Sequence, residues 1–164
     1  MNIRIANGND VRSIAQVQVE SWRTTYRGIV PQAYLDELSV ENRMIVWKKV
    51  TEIHSVFVAE NAVGDIIGFA AGGEERTKEY PSYTGELYAV YLLEECQKQG
   101  VGRRLFDHVV SVLKQGGHQS MLIWALTENP ACRFYEKMGG VIVDRTIDEI
   151  GGKQLEETAF GWMI

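Results

Sequence analysis

The segment that most constrains the fold is Met121 to Leu126, a run of six apolar residues after the amphipathic stretch Val101–Gln115. A continuous apolar strand must be covered on both faces, which is the habit of a strand with a parallel neighbour. That neighbour is supplied upstream: Glu86 to Leu92 is rich in aromatic and β-favouring residues and reads as a strand. Val101, Leu105, Val109, Val112 and Leu113 recur at helical spacing between the two. Strand, helix and strand in this order imply a parallel pair joined by a right-handed crossover.

The remaining signals place antiparallel strands on either side. Asn2 to Ala6 reads as a short strand, and Asn9 and Asp10 suit a helix cap before Val11, Ile14, Ala15 and Trp22. Gly28 ends that helix, Pro31 opens a short turn through Leu38, and Ser39 caps a helix carrying Met44, Ile45, Trp47 and Val50. Val56–Ala59 and Ile66–Ala71 flank a hairpin turn at 61–65, and Gly72 to Ser82 reads as a charged loop. Asn129-Pro130 caps and starts a last helix, ended by Gly139-Gly140. Val141–Val143 and Thr158–Trp162 form a final pair around Gly151-Gly152. The expected class is α/β with a mixed sheet, and 164 residues suit one domain, 1–164.

Composition narrows the function. Seventeen basic against 22 acidic residues give a net charge of −5, which disfavours general nucleic-acid binding. The longest stretch without charge, Gln115 to Thr127, is too short and polar to span a bilayer, and Met1 to Asp10 is no secretory signal. The expectation is a cytoplasmic protein that binds neither nucleic acid nor membrane. Cys96 and Cys132 form no metal-ligand spacing, and His54, His108 and His118 form no zinc motif, so no metal site is expected.

Two segments carry chemistry. The first, Gln97-Lys98-Gln99-Gly100-Val101-Gly102-Arg103-Arg104, lies between a strand and a helix. Gly100 and Gly102 admit close approach to the backbone, and the first helix amides are unpaired and carry the positive end of the dipole. Lys98, Arg103 and Arg104 add cations, which together suits a pyrophosphate. Neither a GxxxxGK[ST] loop nor a GxGxxG fingerprint is present. The second segment is Glu128-Asn129-Pro130-Ala131-Cys132-Arg133-Phe134-Tyr135-Glu136-Lys137-Met138-Gly139-Gly140, directly after the apolar strand.

In order and spacing, Leu87–Arg104 followed by Trp124–Gly140 resembles the GNAT superfamily of acyl-CoA-dependent N-acetyltransferases. The run Ser21-Trp22-Arg23-Thr24-Thr25-Tyr26-Arg27-Gly28-Ile29-Val30-Pro31 is similar to that of many bacterial members. The resemblance implies a central mixed antiparallel and parallel sheet with flanking helices, in which two parallel strands splay apart and acetyl-CoA, the acyl donor, enters the gap. It implies that backbone groups of Val90, Tyr91 and Leu92 hold the pantetheine arm and acetyl carbonyl. It assigns the pyrophosphate to amides of Gln97, Lys98, Gln99, Gly100, Val101, Gly102 and Arg103. It makes Tyr135 the general acid, the alternative being an aromatic packed in the core. Asn129 stands six residues before Tyr135, where the common pattern has its pantetheine-binding Asn seven before; a helix cap is its other reading. Gly140 replaces the usual Phe.

Acetyl transfer requires a deprotonated amine, a donor for the oxyanion and a proton for the departing thiolate. A strand amide at Leu92 is the oxyanion candidate. Glu86 is placed either to draw the amine proton, directly or through water, or to serve as an ordinary strand-edge carboxylate. Trp22, Tyr26 and Arg27 are candidates for the acceptor side, with a core position the other reading for Trp22. The implied activity is transfer of an acetyl group to a primary amine of a small molecule or peptide. A non-catalytic acyl-CoA-binding sensor on the same fold is the competing reading. The resemblance also allows a homodimer, for which the sequence identifies no interface.

Overall fold

The structure, a computed structural model, describes residues 1–164. Seven strands form one sheet: β1 (Asn2–Ile5), β2 (Ser55–Glu60), β3 (Ile66–Glu74), β4 (Gly85–Leu92), β5 (Ser120–Leu126), β6 (Val141–Ile150) and β7 (Lys153–Met163). Their order across the sheet is β1-β2-β3-β4-β5-β7-β6. Five helices accompany them: α1 (Val11–Thr25), α2 (Gln32–Asp36), α3 (Val40–Ile53), α4 (Val101–Gln115) and α5 (Cys132–Lys137). No helix is long and apolar enough to cross a membrane.

Every neighbouring pair is antiparallel except β4 and β5. The expected crossover is therefore present, with α4 as its connection. The apolar stripe of α4 (Val101, Leu105, Phe106, Val109, Leu113) packs on one face of the sheet with Phe57, Ala70, Leu87, Met121 and Phe160. The helices α1 and α3 cover part of the other face, where Val11, Ile14 and Trp47 meet Val56, Val58, Phe69 and Ala89. A smaller cluster of Tyr26, Val30, Leu35, Leu126 and Leu155 closes that face beside β5 and β7.

Several boundaries differ from expectation, each for a local reason. The start of α1 is capped from further upstream: Asn7 Oδ1 accepts from the Asn9 N–H at 2.9 Å, and Asp10 accepts from the Asn7 N–H at 2.8 Å. Asp10 also pairs with Arg4 at 2.7 Å, so this acid fastens β1 to the helix. The Arg4 hydrogen bonds hold the Asp10 carboxyl below the usual range. Pro31 precedes α2 instead of opening it. Gly72 to Glu74 continue β3, leaving 75–84 as the loop. The final hairpin extends over 141–150 and 153–163, well beyond the apolar residues that mark it. Its outer strand is almost wholly exposed, so no burial pattern betrays it. Gly151 (φ 59°) and Gly152 (φ 80°) supply the two left-handed residues of a type I′ turn, which sets the hairpin register.

Leu105 is fully buried where α4 meets the sheet. Leu105→Ala should cost about 3 kcal/mol, which for a chain of this size lowers the melting temperature by about 6–12 °C; a thermal melt checks it.

Candidate active site

The parallel pairing of β4 and β5 comprises Gly85↔Met121 and Glu86↔Leu122 and goes no further. Beyond it each strand is tied along its outer side. β4 pairs with β3 as far as Gly68↔Leu92, and β5 pairs with β7 as far as Leu126↔Glu157. Beyond Glu86↔Leu122 the inner edges of the two strands have no partner in the sheet and leave a gap toward Leu92 and Leu126.

Strand alternation fixes what β4 offers to this gap. The Leu93 N–H donates to Ile67 O at 3.0 Å, so residues 93 and 91 direct their backbone groups to β3. Val90 and Leu92 direct theirs into the gap. The Leu92 carbonyl accepts there from the Ser21 hydroxyl of α1 at 3.2 Å and from Gln97 Nε2 at 3.4 Å. Of the three residues expected to hold the ligand through the backbone, Val90 and Leu92 direct their backbone groups into the gap. Tyr91 is paired with Phe69 on β3 and presents its side chain instead.

At the α4 end of the gap, Lys98 (φ 60°) and Gly100 (φ 81°) are both left-handed, which turns the chain into the helix. No amide from Lys98 to Arg103 donates to any protein acceptor; the Gln97 N–H goes to Glu94 O and the Arg104 N–H to Gly100 O. Consecutive free amides around left-handed residues form a concave anion site. A Cβ at Gly102 would meet only Phe134 Cζ, 4.0 Å away, so protein packing does not require glycine there. Its φ is not left-handed either, and close approach of a ligand is the remaining physical reason for it. The Val101 side chain is buried in the core and anchors this turn.

From α5, Tyr135 reaches the same place. Its ring is only 4% exposed and packs near Phe160 and Trp162. Its hydroxyl hydrogen-bonds to no protein group and keeps slight solvent access. Burial pushes this phenol well above its ordinary pKa, with smaller contributions from Tyr91 and Cys132. Tyr26 approaches from α1, and burial raises it likewise. Trp22 stacks edge-on to Tyr26 with centroids 4.7 Å apart. Trp22 Nε1 is buried without an acceptor; Tyr91 lies near enough for its phenol to feel the indole N–H, but outside hydrogen-bond geometry. Arg27 is exposed.

Two expectations change. The Asn129 side chain is used within the protein: Oδ1 accepts from the Ala131 N–H at 2.9 Å, and Nδ2 donates to the Tyr26 hydroxyl at 3.1 Å. These bonds cap the turn just ahead of α5, whose own N-cap Ala131 has no side-chain bond, and tie the β5–α5 turn to α1. Glu86 is buried, and its carboxylate does not face open space. It accepts from Arg76 Nη2 at 2.6 Å, from Arg76 Nε at 3.2 Å and from the Arg76 backbone N–H at 3.0 Å. With its oxygens engaged by the Arg76 guanidinium and amide, Glu86 fastens the 75–84 loop to β4. The sequence reading also missed Ser21 and Arg76. Ser21 carried a signal, a buried polar side chain on an otherwise apolar helix face. Arg76, in a charged loop, carried none. No group of three or more His, Cys, Asp or Glu side chains is placed to hold a metal ion.

A mixed sheet parted at one parallel pair, with a free amide turn at the mouth of the gap, defines an acyl-transferase type of architecture, and comparison with known proteins agrees. The chain belongs to the acetyltransferase (GNAT) family, whose model matches residues 16–140. It is 41% identical over 162 residues to the uncharacterized N-acetyltransferase YuaI of Bacillus subtilis (strain 168), covering 99% of this chain and 92% of that one. Its fold is similar to that of a phosphinothricin acetyltransferase from Sinorhizobium meliloti solved in complex with AcCoA (TM-score 0.76, 19% identity, 99% and 88% of the chains). It is similar also to the PaiA N-acetyltransferase from Thermoplasma acidophilum in complex with coenzyme A (TM-score 0.71, 19% identity, 100% of each chain).

Asn129→Ala removes both the cap and the tie to Tyr26 and should lower stability by roughly 1–2 kcal/mol in a denaturant titration. Asn129→Asp keeps the capping oxygen and should recover part of it.

Proposed function

We propose that this protein is an N-acetyltransferase, acting as one domain over 1–164, that moves the acetyl group of acetyl-CoA to a primary amine of a small molecule or peptide by direct attack in a ternary complex. The observation that carries this reading is the parting of β4 and β5 after two residue pairs, which leaves the backbone of Val90 and Leu92 open to an added strand-like ligand. A pantetheine arm, with its alternating amide groups, has the chemistry to fill that edge. The free amides from Lys98 to Arg103 suit the pyrophosphate, with the glycine at 102 leaving room for it. The complexes of similar folds with acetyl-CoA and coenzyme A support the same choice of ligand.

With the cofactor so placed, the thioester lies between Leu92 and Tyr135. The amine nitrogen attacks the carbonyl carbon and forms the C–N bond. The Leu92 N–H faces the gap and is the donor for the resulting oxyanion. Collapse breaks the C–S bond, and the departing thiolate, whose conjugate acid has a pKa of about 8.5, takes the phenolic proton of Tyr135. Burial favours this role: a phenol pushed upward is fully protonated at neutral pH and gives its proton only to a developing anion. The nitrogen sheds its proton to solvent and the Tyr135 phenolate regains one from solvent, so no net charge is left behind.

Thiol release from acetyl-CoA over a panel of amines tests the reading. Tyr135→Phe should lower kcat about 100-fold or more and leave the thermal shift produced by acetyl-CoA unchanged. Unchanged turnover would remove Tyr135 from the mechanism. A thermal shift without turnover on any amine would favour the acyl-CoA sensor.

A further inference from the structure

On the α1 side of the gap stands a carboxylate that the steps above do not use. Glu157 lies on β7 directly opposite Leu126, the last residue of β5. Opposed residues of an antiparallel pair project to the same face. Leu126 and Leu155 belong to the cluster that contains Tyr26, with Trp22 packed against it, so Glu157 is on the α1 face. Tyr135 belongs to the cluster on the opposite face, with α4. The two groups thus stand on opposite faces of the sheet, Glu157 one strand beyond the gap.

Glu157 is half-buried, yet its carboxylate has no ion pair and no hydrogen bond. The cations of its own hairpin are turned elsewhere: Arg145 lies 3.8 Å from Glu156, and Lys153 Nζ donates to Ile29 O at 2.9 Å. Asp148, on the neighbouring strand β6, adds like charge. Burial first, and Asp148 second, push the Glu157 carboxyl above its ordinary pKa. Its charge is felt at the Tyr91 phenol, as is that of Arg43 from α3. A partly desolvated carboxylate with no counter-ion of its own is costly unless a cation joins it. The edge-stacked rings of Trp22 and Tyr26 on the same face offer that cation aromatic surfaces as well.

We propose that Glu157 receives the ammonium group of the acceptor, which then gives one proton to solvent and attacks as the free amine, so that the acceptor is a small amine that is cationic at neutral pH and docks from the α1 side. The inference rests on the acetyltransfer reading for its place in the reaction, but the ammonium site can be tested apart from it.

The experiment uses the full chain, Glu157→Gln and Glu157→Asp. The probes are butylamine, a cation at pH 7, and aniline, which is neutral there. Binding is measured by calorimetry in saturating coenzyme A, and turnover by thiol release from acetyl-CoA. Glu157→Gln should weaken butylamine binding at least tenfold and leave aniline KM within twofold. The thermal shift by acetyl-CoA should stay as in the wild type, which certifies the fold, and Glu157→Asp should restore most of the butylamine affinity. Equal butylamine affinity in wild type and Glu157→Gln, no butylamine binding to the wild type, or equal losses for both amines would overturn the proposal. Butylamine binding that depends on Glu157, with no thiol release, would leave the ammonium site standing and overturn the acetyltransfer reading instead.

Discussion

The interaction on which the structure depends is the short parallel contact of β4 with β5, two residue pairs long. Hydrogen bonding normally continues along a strand, because each buried N–H and C=O left unpaired is costly. Here it stops after Glu86↔Leu122, although β4 stays paired to β3 and β5 to β7 over nearly their full lengths. The cost falls on the backbone of Val90 and Leu92, and part of it is met from α1, where the Ser21 hydroxyl donates to the Leu92 carbonyl. What remains unmet is a row of strand-edge groups that a ligand with amides of its own can satisfy. The gap is thus an incomplete sheet, open along one edge of β4.

The surroundings hold that opening in shape. Arg76 and Glu86 clamp the 75–84 loop to β4 at the closed end, where the strands still pair. Asn129 ties the β5–α5 turn to Tyr26 at the open end. These two polar ties lie at either end of the splay, so the width of the gap is set by side chains that are themselves well satisfied. The chemical groups then divide by face. Tyr135 enters from the α5 side among apolar neighbours that keep its proton on, and Glu157 stands on the α1 side without a counter-ion.

Much of this was legible in the sequence because it is written in buried periodicity. The apolar run Met121–Leu126, the stripe of α4 and the glycine turn at 100–102 each have one physical interpretation, and together they require the crossover and locate the anion turn. The helix that carries Tyr135 was legible from Asn129-Pro130 and Gly139-Gly140 at its two ends. The parts that were not legible depend on contacts between distant, exposed or polar residues. Glu86 can be read as a base until Arg76, ten residues away in a charged loop, is seen to hold it. Asn129 can be read as a ligand until its amide is seen to meet Tyr26 on another element. The exposed strand β6 has no burial pattern to read, and Glu157 becomes conspicuous only when the hairpin that carries it is extended past its apolar residues. Tyr91 shows the finer limit. Its position was foreseen, but the direction of its backbone follows from the β3–β4 register, which no local pattern encodes.

The central claim, that acetyl-CoA completes the open edge of β4, is tested most directly by residue-resolved amide hydrogen exchange with and without saturating acetyl-CoA. The Val90 and Leu92 amides and those from Lys98 to Arg103 should exchange markedly more slowly with the ligand, while Tyr91, already bonded to β3, should change little. Unaltered exchange at Val90 and Leu92 under saturating acetyl-CoA would contradict the account.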